Sequence, residues 1–480
     1  MRTGLVLLTL VFAVCFNTHV RADDEPETEQ PTWEFTLNGE SFEPHIVSSR
    51  GPSGPAAQGD LFYLESVLCA LPEPGRYELE TEEVRDRAEV VYCKDGDERR
   101  LVAAEITWTY EDKAVGLNPL QGMKPKELQG LWGLDVDWWD AEIARQVAGL
   151  TGTTALTVGA KAMDQNGDAL PELSATTRCL CIEVNDNFHE RKLDKLSKLK
   201  ALAWLRLNRV AKQPLDLAVL RGLSELKVLD IRGEWIKNLP VLGELTALRL
   251  LRMDWAAEGE IVGEDDERHF ERAESDIGFV ARLTKLEELS CETVLVPDLA
   301  PLEAHPALRR VNANSCGVTK LPKTPPPHLA ECLLLGNAAT EADRAAFVKS
   351  CPKARVVTSW REAVRAALSG IDRILCRTGG TCHRRTKQEK DKFEIKDADE
   401  IKTFIETIDV VEDNSVFHCM CCGNPTFEFY RGDELVLMLG YHHGRSMRWL
   451  NGDWPGDALL TEKAAKYINA LLDMHGVKYD

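Results

Sequence analysis

Thiols and imidazoles gather between residues 376 and 443: Cys376, Cys382-His383, His418-Cys419-Met420-Cys421-Cys422-Gly423 and His442-His443. Thiolate and imidazole are the donors zinc prefers, and four of them converging make a closed structural site. In an extended chain successive side chains alternate in direction, so Cys419 and Cys421 share one side while His418 and Cys422 share the other. One such pair of sulfurs can grip one ion. The candidate ligands are Cys376, Cys382, His418, Cys419, Cys421 and His442. The spacing is not the paired CxxC that marks a zinc site. In an oxidising compartment a disulfide from Cys376 or Cys382 to the 419–422 group is the simpler expectation, with metal ligation and free or redox-active thiols as the alternatives. No cofactor is therefore expected by default, and zinc is the one alternative. Adjacent histidines before Gly444 read as ordinary surface or turn residues. No GxSxG, HExxH, Walker A or GxGxxG element stands in a fitting context, so no catalytic residue is assigned and no enzyme is expected, residues 369–480 alone staying open.

The compartment follows from the other end of the sequence. Arg2 followed by the apolar run Leu5–Phe16, with Val20 and Ala22 at −3 and −1 before Asp23, reads as a secretory signal peptide over 1–22. A twelve-residue run is too short to cross a hydrocarbon core of about 30 Å. The expected location is secreted, periplasmic or cell-surface. Residues 23–31 are acidic and Pro-containing and read as a disordered lead-in. Of 14 cysteines, loss of Cys15 with the leader would leave 13, an odd number for an exported chain. Lys plus Arg number 58 against 78 Asp plus Glu over 480 residues, a net charge of −20. That balance excludes a phosphate-backbone binder, so no nucleic-acid partner is expected.

The elements that must position the thiols show up as a long-period repeat. Apolar residues recur every three positions and end in an apolar-x-apolar step: Leu220, Leu223, Leu226, Leu229, Ile231, then Ile236, Leu239, Leu242, Leu245, Leu248, Leu251, Met253. The first residue of the closing pair runs Leu134, Leu156, Leu180, Leu205, Leu229, Leu251, Leu289, Val311 and Leu333, at spacings of 22, 24, 25, 24, 22, 38, 22 and 22. Neither a lone helix nor a lone strand has that period. The pattern resembles the leucine-rich repeat family, closest to its internalin-like repeats of 22 residues, over about Leu128 to Trp360. The final Asn of the family's LxxLxLxxN is replaced here by Val210, Glu234, Ala256 and Cys316. The resemblance implies an α/β fold: a leucine-rich repeat solenoid over 126–368 with a parallel β-sheet on its concave face, flanked by a small β-rich N-terminal domain (32–125) and an α+β C-terminal domain (369–480).

In each apolar-x-apolar step the apolar pair points inward and its neighbours point out. The expected exposed row includes Trp204, Arg206, Asn208, Asp230, Arg232, Arg252, Asp254, Arg310 and Asn312, a mixed-charge surface for a protein partner, with Trp204 beside Arg206 as the anchor. The spacing of 38 is 22 + 16, so one repeat carries an insertion at 254–276, whose ten acids against Arg268 and Arg272 predict a solvated, mobile loop. Asp164-Gln-Asn166-Gly-Asp168 begins like a calcium loop but lacks the Glu at position twelve, and reads as an inter-repeat turn. Farther on, a helix is expected from Trp360 to Ala367, another opened by Asp397 through Ile408, and a third opened by Thr461 and closed by Gly476. Arg431-Gly432-Asp433 reads as a hairpin turn rather than an adhesion tripeptide. Cys69 and Cys93 could pair within the β-rich segment. The expected function is a protein-binding scaffold; the alternative is a metal- or thiol-dependent activity in 369–480, docked by the repeats.

Overall fold

The computed structural model describes residues 34–37, 40–42, 76–84, 88–95, 98–110 and most of 114–479; the longer stretches left undescribed are 1–33, 43–75, 184–192, 263–268, 382–388 and 413–418. The signal peptide, the lead-in, Cys69, Cys382, His383 and His418 lie outside the described residues. The chain divides into two compact units, one of residues 1–48 and 59–252, the other of 253–480 with 49–58. This division falls inside the repeats, not at the composition change near residue 368.

In the first unit, strands Arg76–Val84, Ala88–Asp95 and Glu98–Tyr110 form an antiparallel meander. The last of these also pairs in parallel with Gly133–Val136, placing Ala104 opposite Leu134. The β-rich segment is thus continuous with the repeat sheet. From there Gly133–Val136, Ala155–Val158, Cys179–Glu183, Trp204–Asn208, Val228–Asp230 and Leu250–Arg252 add one parallel strand after another. Their register sets Leu134, Leu156, Leu180, Leu205, Leu229 and Leu251 side by side, each at most 2% exposed.

The three-residue period has its own cause. The return segments Asp194–Lys198, Leu217–Leu220 and Leu239–Glu244 are 3₁₀ turns. A 3₁₀ helix has three residues per turn, so residues at i and i+3 eclipse one another. Leu217, Leu220, Leu223 and Leu226 therefore line up inward and are fully buried. Each buried leucine contributes about 1.5–3 kcal/mol, and stacking is what makes that burial possible.

In the second unit, Glu288–Ser290, Arg310–Asn312, Glu331–Leu333 and Arg355–Val357 are parallel, with Leu289, Val311, Cys332 and Val356 in one row. Leu289 and Val311 stand as the sequence predicts, but Leu333 does not follow them: it pairs with Asn312. The step from Val311 to Cys332 is 332 − 311 = 21 residues, one short of the expected period. Cys332 takes the inward place, and Leu333 and Leu335 join the core of the C-terminal domain with Val357 and Trp360. That domain is a six-stranded antiparallel sheet in the order Asp391–Ile395, Arg373–Arg377, Thr426–Arg431, Glu434–His442, Ser446–Trp449, Asp457–Leu459. Helices Ala398–Thr407 and Glu462–Met474 pack Phe404, Ile468 and Leu472 into the core that holds Phe427, Phe429 and Tyr441. Their N-caps are Asp397 and Thr461, helix Trp360–Ala367 has the expected bounds, and Gly432-Asp433 is the tip of a hairpin.

The acidic insertion is not simply a loop. Gly259–Val262 and His269–Arg272 pair as an antiparallel hairpin, with Ile261 opposite Phe270. The acids conceal two short β-prone runs, Glu-Ile-Val and His-Phe-Glu. Asp254, at its start, is buried and accepts from the Ser290 hydroxyl and the Glu292 N–H.

Candidate functional site

The outward side of the repeat strands carries two rows. In the first unit, register stacks Ala155, Cys179, Trp204, Val228 and Leu250, and beside them Thr157, Cys181, Arg206, Asp230 and Arg252. The first row is apolar, and Trp204 packs there with Cys179, Cys181 and Val228. The expected exposure is overturned: Trp204 is 1% exposed, and Arg206, Asp230 and Arg252 are all buried. Alternation along a strand tells which side of the sheet a residue takes, not whether that side meets water; parallel sheets are commonly covered on both faces. Asp230 lies 2.9 Å from Arg232 and 3.7 Å from Arg206, so one carboxylate answers two guanidinium groups. Asn208 ends its strand opposite Glu183.

In the second unit the corresponding row reads Glu288, Arg310, Glu331, Arg355, alternating in sign from strand to strand. Arg310 is ion-paired with Glu288, and Arg355 bonds Glu331 at 2.7 Å. Opposite charges directly across a strand pair are favourable. Their side chains keep 15% (Glu288), 31% (Arg310), 18% (Glu331) and 42% (Arg355) exposure. Asn312, one place along, is buried and donates to Glu292 Oε2 at 3.1 Å. Arg355 is also ion-paired with the buried Asp453, and Asn314 Nδ2 donates to the Asp453 carbonyl at 2.9 Å. The indole N–H of Trp454 donates to the Trp360 carbonyl. The loop 452–454 thereby fixes the C-terminal sheet to the last repeats, a role for Asp453 that nothing in its sequence neighbourhood signals.

The Cys/His group lies at one end of the C-terminal sheet. Cys419 and Cys421 face the same way, with Sγ atoms 2.8 Å apart. A disulfide requires about 2.05 Å, so this is a thiol–thiol contact. His442 Nδ1 lies 3.1 Å from Cys421 Sγ. His443 Nε2 lies 3.0 Å from Cys419 Sγ and 3.3 Å from Cys421 Sγ. His442 is buried, His443 exposed, and the two cysteines lie between. Arg448 donates to the carbonyls of Cys419 and Cys421, and Asp457, ion-paired with Arg448, accepts the Cys419 N–H. The hydrogen bond with Cys421, the Cys421 backbone N–H and the His443 ring hold the Cys419 thiol down at about 7, while burial pushes Cys421 up.

The remaining sequence candidates fare differently. Cys376 is a thiol in the core beside Phe393 and Phe427, pushed up to about 12 by burial, so the expected disulfide from it to the 419–422 group is not formed. Its strand lies between Asp391–Ile395 and Thr426–Arg431, and its side chain belongs to the buried core of this domain. Cys382 and His418 lie outside the described residues. The predicted His442 stands beside Cys421, and His443, taken from sequence as a plain turn residue, joins it at the sulfurs. Its signal was the glycine that follows: Arg445 N–H bonds the His442 carbonyl, and His443 (φ 50°) and Gly444 (φ 66°) form the tip of a tight turn.

No family model and no curated protein matches the chain. Among solved structures it is similar to an internalin of Listeria monocytogenes, at 15% identity over 54% of this chain and 79% of that one, with a TM-score of 0.34. A leucine-rich repeat protein of Leptospira interrogans is similar at 13% identity over 48% of this chain and 67% of that one, TM-score 0.28. So is the Toll–Spätzle complex of Drosophila, at 10% identity over 58% and 47%, TM-score 0.29. The leucine-rich repeat fold itself rests on the strand register and the buried leucine row, which a chain of stacked parallel strands joined by short 3₁₀ returns produces.

Proposed function

We propose that this chain is an exported binding scaffold that holds a protein partner on the outward side of its repeat strands, with Glu288, Arg310, Glu331 and Arg355 as the contact row. The observation that carries the reading is that this row combines partial exposure with internally matched charge on four consecutive strands. Leu289 and Val311 are turned inward and buried, while Glu288, Arg310, Glu331 and Arg355 on the other side of the same strands keep part of their side chains exposed. A row of matched charges on a fixed backbone favours specificity and encounter rate over raw affinity. Trp204 with Arg206 no longer serves as the anchor, since both are buried. The apolar leader Leu5–Phe16 supports export, and no described helix is long and apolar enough to cross a membrane.

Photo-crosslinking tests the reading. A benzophenone side chain placed at 310 or 355 is expected to capture one protein from the native extracellular fraction. The same group at 172, whose side chain is 66% exposed, is expected to capture none. With the benzophenone at 310 or 355, Glu288→Arg together with Glu331→Arg abolishes the adduct. Identical adduct patterns at 172 and 310 would refute the assignment of this row.

A further inference from the structure

We propose that Cys419, Cys421, His442 and His443 form a four-ligand site for zinc, independent of the partner-binding row. The donor set is the first argument. Two thiols and two imidazoles are the composition of a closed structural zinc site, whereas calcium and magnesium take oxygen. Geometry is the second. A donor atom from each of Cys419, Cys421 and His442 lies within 4.8 Å of the others, and His443 Nε2 is within 3.3 Å of both sulfurs. Tetrahedral zinc, bonded at about 2.3 Å to sulfur and about 2.0 Å to nitrogen, spaces its ligands by roughly 3.4–3.8 Å. The four sulfur–sulfur and sulfur–nitrogen separations of 2.8–3.3 Å widen by less than an ångström around an ion.

Backbone conformation is the third argument. Along a strand, His442 and His443 would point to opposite faces, and one could not share a site with the other. The left-handed φ of 50° at His443 turns its ring back to the side of the sulfurs. Such a conformation is unfavourable for any residue other than glycine, and it persists where the surroundings impose it. The remaining support comes from behind. Arg448 ties down both cysteine carbonyls and puts a positive charge beside two sulfurs that must lose their protons to solvent on binding. Gly423, at φ 73°, leaves the room that the buried His442 ring fills; a Cβ there would stand 2.6 Å from Nε2.

The test uses the full-length protein, reduced and loaded with Co(II) as a spectroscopic stand-in, then with zinc. Tetrahedral d–d absorption together with a thiolate charge-transfer band is expected, displaced by one equivalent of zinc. His443→Gly removes one ring and suits the left-handed turn, so it folds; zinc affinity is expected to fall by at least the roughly 10–100-fold that loss of a supporting group costs. Cys421→Ser abolishes the charge-transfer intensity of its sulfur. His418→Ala is expected to change nothing. Failure of the reduced wild-type protein to give the tetrahedral spectrum would overturn the proposal, as would undiminished zinc affinity in both His443→Gly and Cys421→Ser. Loss of binding in His418→Ala with His443→Gly unaffected would overturn the ligand assignment.

Discussion

Replacing Trp204 by alanine separates a buried structural tryptophan from an exposed interface anchor. The side chain is 1% exposed and sits in the row with Cys179, Cys181 and Val228. A buried tryptophan removes about 150–250 Å² from water, which at about 25 cal/mol per Å² comes to roughly 4–6 kcal/mol as an upper value. Its indole N–H has no hydrogen-bond partner among the described residues, and an unmet buried donor costs about 1–3 kcal/mol, which alanine relieves. The net expectation is a loss of about 3–4 kcal/mol for Trp204→Ala, near the usual range for a large-to-small core change. Trp204→Phe keeps most of the apolar area while deleting the unmet donor, and is expected to lose no more than about 1 kcal/mol. For a unit of this size each kcal/mol moves the midpoint by about 2–4 °C, so alanine lowers Tm by roughly 6–16 °C and phenylalanine by less than about 4 °C. Calorimetry reads the midpoint. Hydrogen exchange over 204–208 and 228–230 shows that the loss arises in this part of the sheet. If Trp204→Ala melts within about 1 °C of the wild type, with unchanged exchange, the side chain is a surface group and the buried-row argument is wrong.

Asp230→Asn leaves Arg206 and Arg232 without their shared carboxylate and is expected to cost about 3 kcal/mol, with Asp230→Asn/Arg206→Met recovering part of it in urea titrations. Asp216 is held below the usual carboxylate range by the Asn238 side chain and the Ala218 N–H, and Asp298 by the Ala300 N–H and Lys320. Depressed carboxyls stabilise above their unfolded pKa of about 3.9 and lose that contribution as pH falls through the lower folded value. The double variant Asp216→Asn, Asp298→Asn should therefore be less stable than wild type at pH 7, with the difference closing on acidification in a Tm-against-pH series. Gly423→Ala meets both a left-handed φ of 73° and the His442 ring, and is expected to lower the unfolding free energy read in denaturant titrations by about 1–3 kcal/mol.

Much of the repeat was legible because leucine burial repeats with the chain's own period. Leu134 through Leu251 fall in one register row because every inward position pays the same penalty for a polar residue. The register was lost at Leu333, where three neighbouring leucines, 333 to 335, offered two inward solutions and a hydrophobic count could not choose. The choice was made by the C-terminal core, which takes Leu333 and Leu335 on the other face and leaves Cys332 and Leu334 inward. Exposure of the outward row was misread for a related reason. Ala155, Cys179, Trp204, Val228 and Leu250 are apolar in every successive repeat, a row-wise regularity that only appears once strands are aligned side by side.

The Cys/His group divides along the same line between local and non-local information. That Cys419 and Cys421 face one side together follows from alternation within a few residues, and the fold agrees. Cys376 was drawn in by composition alone. Its strand has the Asp391–Ile395 and Thr426–Arg431 strands on its two sides, and its buried thiol belongs to the sheet's core packing, a placement no spacing rule carries. His443 reverses the case: the adjacent histidines before Gly444 read as ordinary surface or turn residues, and the turn is there, but it carries the His443 ring to the sulfurs. Gly444 made a tight turn the better reading, and a tight turn with left-handed φ at its first central position brings neighbours onto one side. Turn chemistry, not ligand spacing, was therefore the feature that brought His443 to the sulfurs beside His442.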